Sequence, residues 1–132
     1  MYRLAVVLSS GEFERLYSGL SLLVSSAADG SPCAGLATFR GLGLLLDPDL
    51  GRRGEAPEAT PGLSWVGREA FGRSLGELRD TALALDGLDL YACAASVETM
   101  GIAVEDVREL LDGVMSMPRF LRAAEGANLV FV

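Results

Sequence analysis

Histidine is absent from the 132-residue chain, and only two cysteines are present. The lack of histidine excludes Ser-His-Asp and Cys-His catalytic arrangements and every zinc site that uses histidine. Two cysteines without a CxxC spacing also exclude a Cys₄ zinc site and thioredoxin-type exchange within one chain. No GxGxxG or P-loop motif is present, so the sequence predicts neither a metal nor another cofactor.

Lysine is absent as well, and the eleven basic residues are outnumbered by eighteen acidic ones, which gives a net charge of −7. Nucleic-acid binding needs a basic surface, so this charge argues against a nucleic-acid partner. No apolar run is long enough for a transmembrane helix, and a membrane partner is not expected. Because residues 1–3 lead straight into a strand, no signal peptide is predicted, and we expect a cytoplasmic protein with reduced thiols.

Half of the residues are hydrophobic, and the mean hydropathy is +0.34, which is high for a chain of this length. An apolar excess of this size is typical of surface that is buried between subunits. We therefore expect a homo-oligomer.

Apolar strand patterns alternate with helical patterns along the chain, which predicts one α/β domain over residues 1–132. The expected architecture is a three-layer α/β/α sandwich with a mostly parallel sheet of about five strands. Strands are predicted at 4–8, 33–39, 88–93, 113–115 and 128–132, and helices at 13–28, 68–85, 97–100, 105–111 and 118–124. Residues 40–46 predict a short helix or an apolar turn. Residues 47–66 are rich in proline and glycine and predict a long loop with little regular structure.

Cys93 ends the predicted strand that begins at Leu88, where ligands bind in open α/β sheets. Ser96 is a plausible N-cap for the following helix. A thiol before a helix N-terminus faces free N–H groups, which favour the thiolate, so Cys93 is a candidate nucleophile or sulfur carrier. The alternative is that Cys93 is a small buried core residue. Cys33 begins its strand at the opposite edge, so no Cys33–Cys93 disulfide is expected.

Two further loops are expected to meet Cys93 at the carboxyl edge of the sheet, because right-handed crossovers place all strand ends there. In one of them, Ser9 and Ser10 could donate hydrogen bonds to the sulfur or to an anion, although Ser10 could equally cap the first helix. In the other, Arg40 could stabilise a thiolate or bind an anionic sulfur donor, and its alternative is an ordinary surface ion pair.

Three large side chains are candidates for the walls of a pocket around the thiol. They are Phe39, Met100 and Trp65, and the last belongs to the segment that leads from the long loop into the next helix. The alternative for Trp65 is packing at a subunit boundary.

Several segments together carry a family resemblance. They are Leu4 to Gly11, Phe39 to Leu42, Tyr91 to Cys93, Ser96, Met100 to Ile102, Asp112 to Val114, Phe120-Leu121 and Ala127 to Val132. On these residues the chain resembles the DsrE/DsrF-like sulfur-relay family. The resemblance implies trimers or hexamers in which a cysteine at the position of Cys93 accepts sulfane sulfur as a persulfide and passes it to a partner. The chain departs from the family pattern at Ala94-Ala95 and in residues 115–119.

The leading hypothesis is therefore a sulfur-relay or sulfurtransferase-like protein that uses Cys93. Its partners would be sulfur donor and acceptor proteins or small sulfur compounds. One alternative is a non-catalytic oligomeric module of the same fold that binds a small ligand. Another is a peroxide-reducing thiol protein that depends on an external thiol or on one from a neighbouring subunit. Reactivity of Cys93 separates the thiol hypotheses from the binding module.

Overall fold

The computed structural model describes residues 1–132, and its apolar runs form a five-stranded sheet. All neighbouring strands are parallel, in the order β4-β3-β2-β1-β5. The strands are β1 (Leu4–Leu8), β2 (Cys33–Ala37), β3 (Leu88–Cys93), β4 (Gly113–Met115) and β5 (Asn128–Phe131). The predicted α/β class and strand number are confirmed, and the sheet is entirely parallel.

Seven helices connect and flank these strands. They are α1 (Phe13–Ala28), α2 (Phe39–Leu46), α3 (Leu50–Gly54), α4 (Trp65–Ala84), α5 (Ala94–Met100), α6 (Val104–Leu110) and α7 (Met117–Ala123). None of them combines the length and the apolar character that crossing a membrane requires.

The two faces of the sheet are covered very unequally. Helices α1 to α6 all contribute buried residues to the larger core, which includes Leu20, Leu42 and Leu75. On the other face, only α7 packs against the strands, through the fully buried Phe120. The sandwich therefore has three layers, but its α7 side is thin.

Several predicted boundaries were wrong, including those of β2 and of residues 47–66. Strand β2 ends at Ala37 rather than at residue 39, because Phe39 turns the chain into α2 with a left-handed φ of 43°. Residues 47–66 also contain more regular structure than expected, since they include α3 and the start of α4. Ser64 caps α4 by accepting a hydrogen bond from the N–H of Gly67.

The glycines of this segment serve helix packing rather than loop formation. A Cβ added to Gly54 would lie 3.2 Å from the Cα of Gly72, so the backbones of α3 and α4 approach closely. A glycine-rich sequence that suggests a loop is therefore also compatible with two closely packed helices.

The two cysteines lie at opposite ends of the sheet, as predicted, and both are free. Cys33 pairs with Leu88 at the start of β3, whereas Cys93 ends that strand. Their side chains also belong to different cores, with Cys33 facing α1 and Cys93 on the α7 side. An internal disulfide is excluded by this geometry.

Candidate functional site

Cys93 occupies the junction between β3 and α5. Its backbone is extended (φ −66°, ψ 125°), and it is the N-cap residue of α5. The side chain projects onto the α7 side of the sheet, in a cluster that includes Leu36 and Phe120, and only 5% of the residue is exposed. The thiol is therefore at the predicted edge of the sheet but is shielded from solvent.

Ser96 is not the N-cap that the sequence predicted, because α5 begins two residues before it, at Ala94. Its hydroxyl is fully buried and accepts a hydrogen bond of 3.0 Å from the backbone N–H of Phe39. Ser96 thus links the turn after β3 to the turn after β2 instead of capping its own helix.

The register of the sheet identifies the side chains beside Cys93. On one side, Met115 of β4 is its direct partner. On the other side, Ala37 pairs with Ala92, so the next residue, Thr38, lies beside Cys93. Thr38 is extended (φ −125°, ψ 144°), which continues the strand alternation and turns its side chain to the same face as Cys93.

Neither neighbour was identified as a site residue from the sequence. The alternation of Leu36, Ala37 and Thr38 indicates which face of the sheet each side chain occupies. It identifies Thr38 as a neighbour of Cys93 only when β2 and β3 are known to be adjacent and their register is known.

Ser9 and Ser10 lie at the same edge of the sheet but not beside Cys93, because β2 separates β1 from β3. The Ser9 hydroxyl donates to the carbonyl oxygen of Val132 at 2.9 Å. The Ser10 hydroxyl accepts from the N–H of Glu12 at 3.0 Å, near the start of α1. Both hydroxyls are therefore engaged on the β1–β5 side of the sheet.

Arg40 follows Phe39 but extends toward the β1 side. A Cβ added to Gly11 would lie 2.9 Å from Cδ of Arg40, so the arginine stem lies across that glycine. Arg40 takes part in none of the ion pairs of the structure. The structure thus brings this cation to the carboxyl edge, over the loop after β1.

The predicted wall residues are not gathered into one closed pocket. Phe39 is 48% exposed, and Met100 is also exposed, with its Cε 3.7 Å from the position of a Cβ added to Gly43 in α2. Trp65 is largely exposed and borders a different cavity, together with Glu55 and Glu69.

A separate cavity of about 310 Å³ lies at the carboxyl end of β1. Its lining residues come from the start of α1 and from the segment after α3: Gly11, Glu12, Phe13, Arg53, Ala56, Glu58 and Ala59. No group of three His, Cys, Asp or Glu side chains is arranged to hold a metal ion.

Cys33 differs from Cys93 in its chemistry as well as in its position. Burial raises the pKa of the Cys33 thiol above its usual value. Its Sγ–H donates to the carbonyl oxygen of Leu23 at 3.2 Å. The Cys33 thiol therefore stays protonated inside the larger core, and Cys33 acts as a packing residue.

Comparison with known proteins adds no assignment. No protein-family model matches the chain, and no curated protein matches it. The resemblance to the DsrE/DsrF-like family thus rests on the residues named above.

Proposed function

We propose that the protein carries sulfane sulfur as a persulfide on Cys93, as its resemblance to the DsrE/DsrF-like family implies. The observation that carries this proposal is the place of Cys93 at the carboxyl end of an interior parallel strand, between Thr38 and Met115. In open α/β sheets, this edge is where ligands bind. Cys93 is the only thiol there, because Cys33 begins its strand.

Loading would proceed by thiol–disulfide-type exchange. The Cys93 thiolate attacks the terminal sulfane sulfur of a donor persulfide, R–S–SH. The new Cys93–sulfur bond forms as the donor sulfur–sulfur bond breaks, and its electron pair leaves with the donor thiolate. The products are Cys93–S–SH and R–S⁻, so no external oxidant or reductant is needed. Transfer to an acceptor thiolate repeats the same step with Cys93 as the leaving group.

The burial of Cys93 suits the storage of a reactive sulfur. A persulfide surrounded by apolar side chains is protected from small nucleophiles in solvent, whereas transfer requires an opening toward the partner. The α7 side is the thin layer of the sandwich, and Phe120 is the one buried residue of α7 itself. We place the route of sulfur entry and exit on this side.

The proposed assembly is a homo-oligomer that uses the free edge at β5. Leu129 and Phe131 are 55% and 71% exposed, and they face the α7 side because they pair with Ala5 and Val7. The strand carries no charged residue and no proline, the usual protections of an exposed sheet edge. A second copy of the chain is the proposed occupant, since two identical apolar edges are complementary in an isologous contact.

Sedimentation equilibrium tests this assembly with Phe131→Glu. The expected result is a lower assembled mass for Phe131→Glu and an unchanged mass for Leu22→Glu, a matched control at an exposed apolar position on α1. A monomeric wild-type protein, or equal effects of the two substitutions, would contradict the proposal.

The proposed setting is the cytoplasm, with donor and acceptor proteins or small sulfur compounds as partners. Persulfide exchange on Cys93 needs a free thiol, and a reducing compartment keeps thiols in that form.

Small-ligand binding is the second candidate function, and the cavity at the end of β1 supports it. Glu12, Glu58 and Arg53 contribute charges of both signs to its lining, which suits a small zwitterionic or polar ligand better than a simple anion. Under this alternative, Cys93 is a core residue without chemistry.

Intact-protein mass spectrometry after incubation with polysulfide tests the main proposal. The wild-type protein is expected to gain the mass of one sulfur, and reductant is expected to remove it. Cys93→Ser should lose this adduct, whereas Cys33→Ser, the matched control, should retain it. No adduct on the wild-type protein, or an adduct that persists in Cys93→Ser, would reject sulfur carriage by Cys93.

A further inference from the structure

Trp65 is the only tryptophan of the chain, and it is the first residue of the 20-residue helix α4. The residue is 68% exposed, and it belongs to neither hydrophobic core. Tryptophan is highly buried on average in folded proteins, so a largely exposed ring outside both cores is unusual. This position leaves ring surface available to a molecule from solvent.

Two carboxylates border the same cavity as this ring. The cavity has a volume of about 250 Å³ and is lined by Glu55, Trp65 and Glu69. Glu69 lies one turn after Trp65, on the same face of α4. Glu55 comes from the C-cap of α3, and a Cβ added to Gly72 would lie 2.5 Å from its Cγ. The missing side chain at Gly72 therefore leaves room for Glu55 to lie against α4.

Neither carboxylate of the cavity is paired with a cation. Glu55 and Glu69 take part in none of the four ion pairs of the structure. Arg68 is the adjacent cation, but it donates to backbone carbonyl oxygens, from Nε to Glu55 at 3.2 Å and from Nη1 to Leu63 at 3.0 Å. Two carboxylates beside one arginine, in a chain with a net charge of −7, leave the cavity with an excess of negative charge.

We propose that this cavity binds a quaternary ammonium cation, with the charge of the ligand on the face of Trp65. Tryptophan gives the strongest cation–π attraction of the aromatic side chains. A quaternary ammonium group has no N–H to donate, so a ring face and unpaired carboxylates are suitable groups to hold it. Ca²⁺ fits less well, because it takes about six to eight oxygen ligands.

The volume of the cavity limits the size of the ligand. Pockets for drug-sized ligands measure roughly 300–1,000 Å³. A cavity of about 250 Å³ is smaller than these and suits a small cation such as choline.

This site is separate from Cys93. None of its three lining residues comes from β3, from α5 or from the turn after β2. The proposal therefore does not depend on sulfur carriage, and a failure of persulfide loading leaves it unaffected.

The fluorescence of Trp65 tests the proposal, because no other tryptophan contributes to the signal. Choline chloride is titrated at a low ionic strength that sodium chloride keeps constant, and its uncharged isostere 3,3-dimethylbutan-1-ol is titrated in parallel. We expect a saturable change with choline and none with the alcohol over the same concentrations. The double substitution Glu55→Gln and Glu69→Gln is expected to raise the dissociation constant of choline about tenfold, as the loss of two exposed charge contacts predicts. Glu77→Gln, the matched control at another exposed glutamate of α4, should bind choline like the wild-type protein.

Broadening of the methyl proton resonance of choline measures binding where the fluorophore is removed. Trp65→Leu is expected to abolish the broadening that the wild-type protein causes. Equal fluorescence responses to choline and to the alcohol would overturn the proposal, since the ring would then offer only an apolar contact. A response to choline that does not saturate would also overturn it, as would equal weakening by Glu77→Gln and by the double substitution. Urea denaturation of each variant ensures that binding is compared on folded protein.

Discussion

The buried hydroxyl of Ser96 accepts a hydrogen bond from the backbone N–H of Phe39, across 57 residues of sequence. This bond joins the turns that follow two adjacent strands, one of which carries Cys93. It therefore fixes the position of the Thr38–Phe39 turn relative to the thiol.

Replacing Ser96 by alanine is expected to lower the free energy of unfolding by about 1–3 kcal/mol, because the Phe39 N–H loses its partner in a partly buried place. Ser10→Ala is the matched control, since the Ser10 hydroxyl also accepts a backbone N–H but is exposed to water. Urea denaturation measures both variants. A cost for Ser96→Ala no larger than that for Ser10→Ala would contradict the role given to this bond.

Phe39 itself has an unusual backbone conformation, with a φ of 43°. A positive φ is sterically unfavourable for alanine, as it is for phenylalanine, whereas glycine adopts it without this cost. We therefore expect Phe39→Gly to be more stable than Phe39→Ala by about 1 kcal/mol, the reverse of the order at ordinary helical positions. Both variants lose the half-exposed ring, so that loss cancels in the comparison. Urea denaturation giving the ordinary order, with alanine more stable, would show that the turn relaxes.

Sequence patterns were sufficient to predict the strands that consist of continuous apolar runs. Leu4 to Leu8 is an example, because it can be buried on both faces only within a parallel sheet. The segment from residue 47 to 66 was less predictable. Its glycines are typical of loops, and their function as contacts between α3 and α4 depends on tertiary packing.

The candidate site was predictable only in part, for a related reason. The position of Cys93 at a strand end is a local property, and the sequence indicates it directly. Which side chains lie beside Cys93 depends on strand order and register. From the sequence we therefore expected Ser9 and Ser10 to lie beside Cys93, although β2 lies between β1 and β3. Thr38 was not identified as a neighbour of Cys93.

Gly41 and Gly43 in α2 provide a test of how the end of β1 and this helix pack. A Cβ added to Gly41 would overlap the backbone carbonyl of Leu8, whereas one added to Gly43 would meet only the flexible end of Met100. Gly41→Ala is thus expected to lower the free energy of unfolding by more than about 2 kcal/mol. Gly43→Ala is expected to raise it by up to about 1 kcal/mol, because alanine is the better helix former.

Thermal or urea denaturation of the two variants checks this pair. Equal effects of Gly41→Ala and Gly43→Ala would contradict the close approach of α2 to Leu8, since helix propensity alone does not distinguish the two positions.

Tyr2 is expected to make stability depend on pH in the alkaline range. Its hydroxyl donates to the carboxylate of Asp89, and its pKa is raised well above its usual value near 10 by burial first and by Asp89 second. Above pH 10, the unfolded chain loses this proton while the folded protein keeps it. The contribution of Tyr2 is therefore complete below pH 10 and decreases as the pH rises further.

Tyr2→Phe is expected to be less stable than the wild-type protein at pH 8, because Asp89 loses its donor, by about 1 kcal/mol. Between pH 10 and 11.5, this difference should shrink, since only the wild-type protein loses stability through Tyr2. The free energy of unfolding of both proteins, measured by urea denaturation across this range, gives the result. The raised pKa of the buried Cys33 acts in both proteins and cancels in the difference. A difference that stays constant from pH 8 to 11.5 would show that Tyr2 ionises equally in the folded and the unfolded chain.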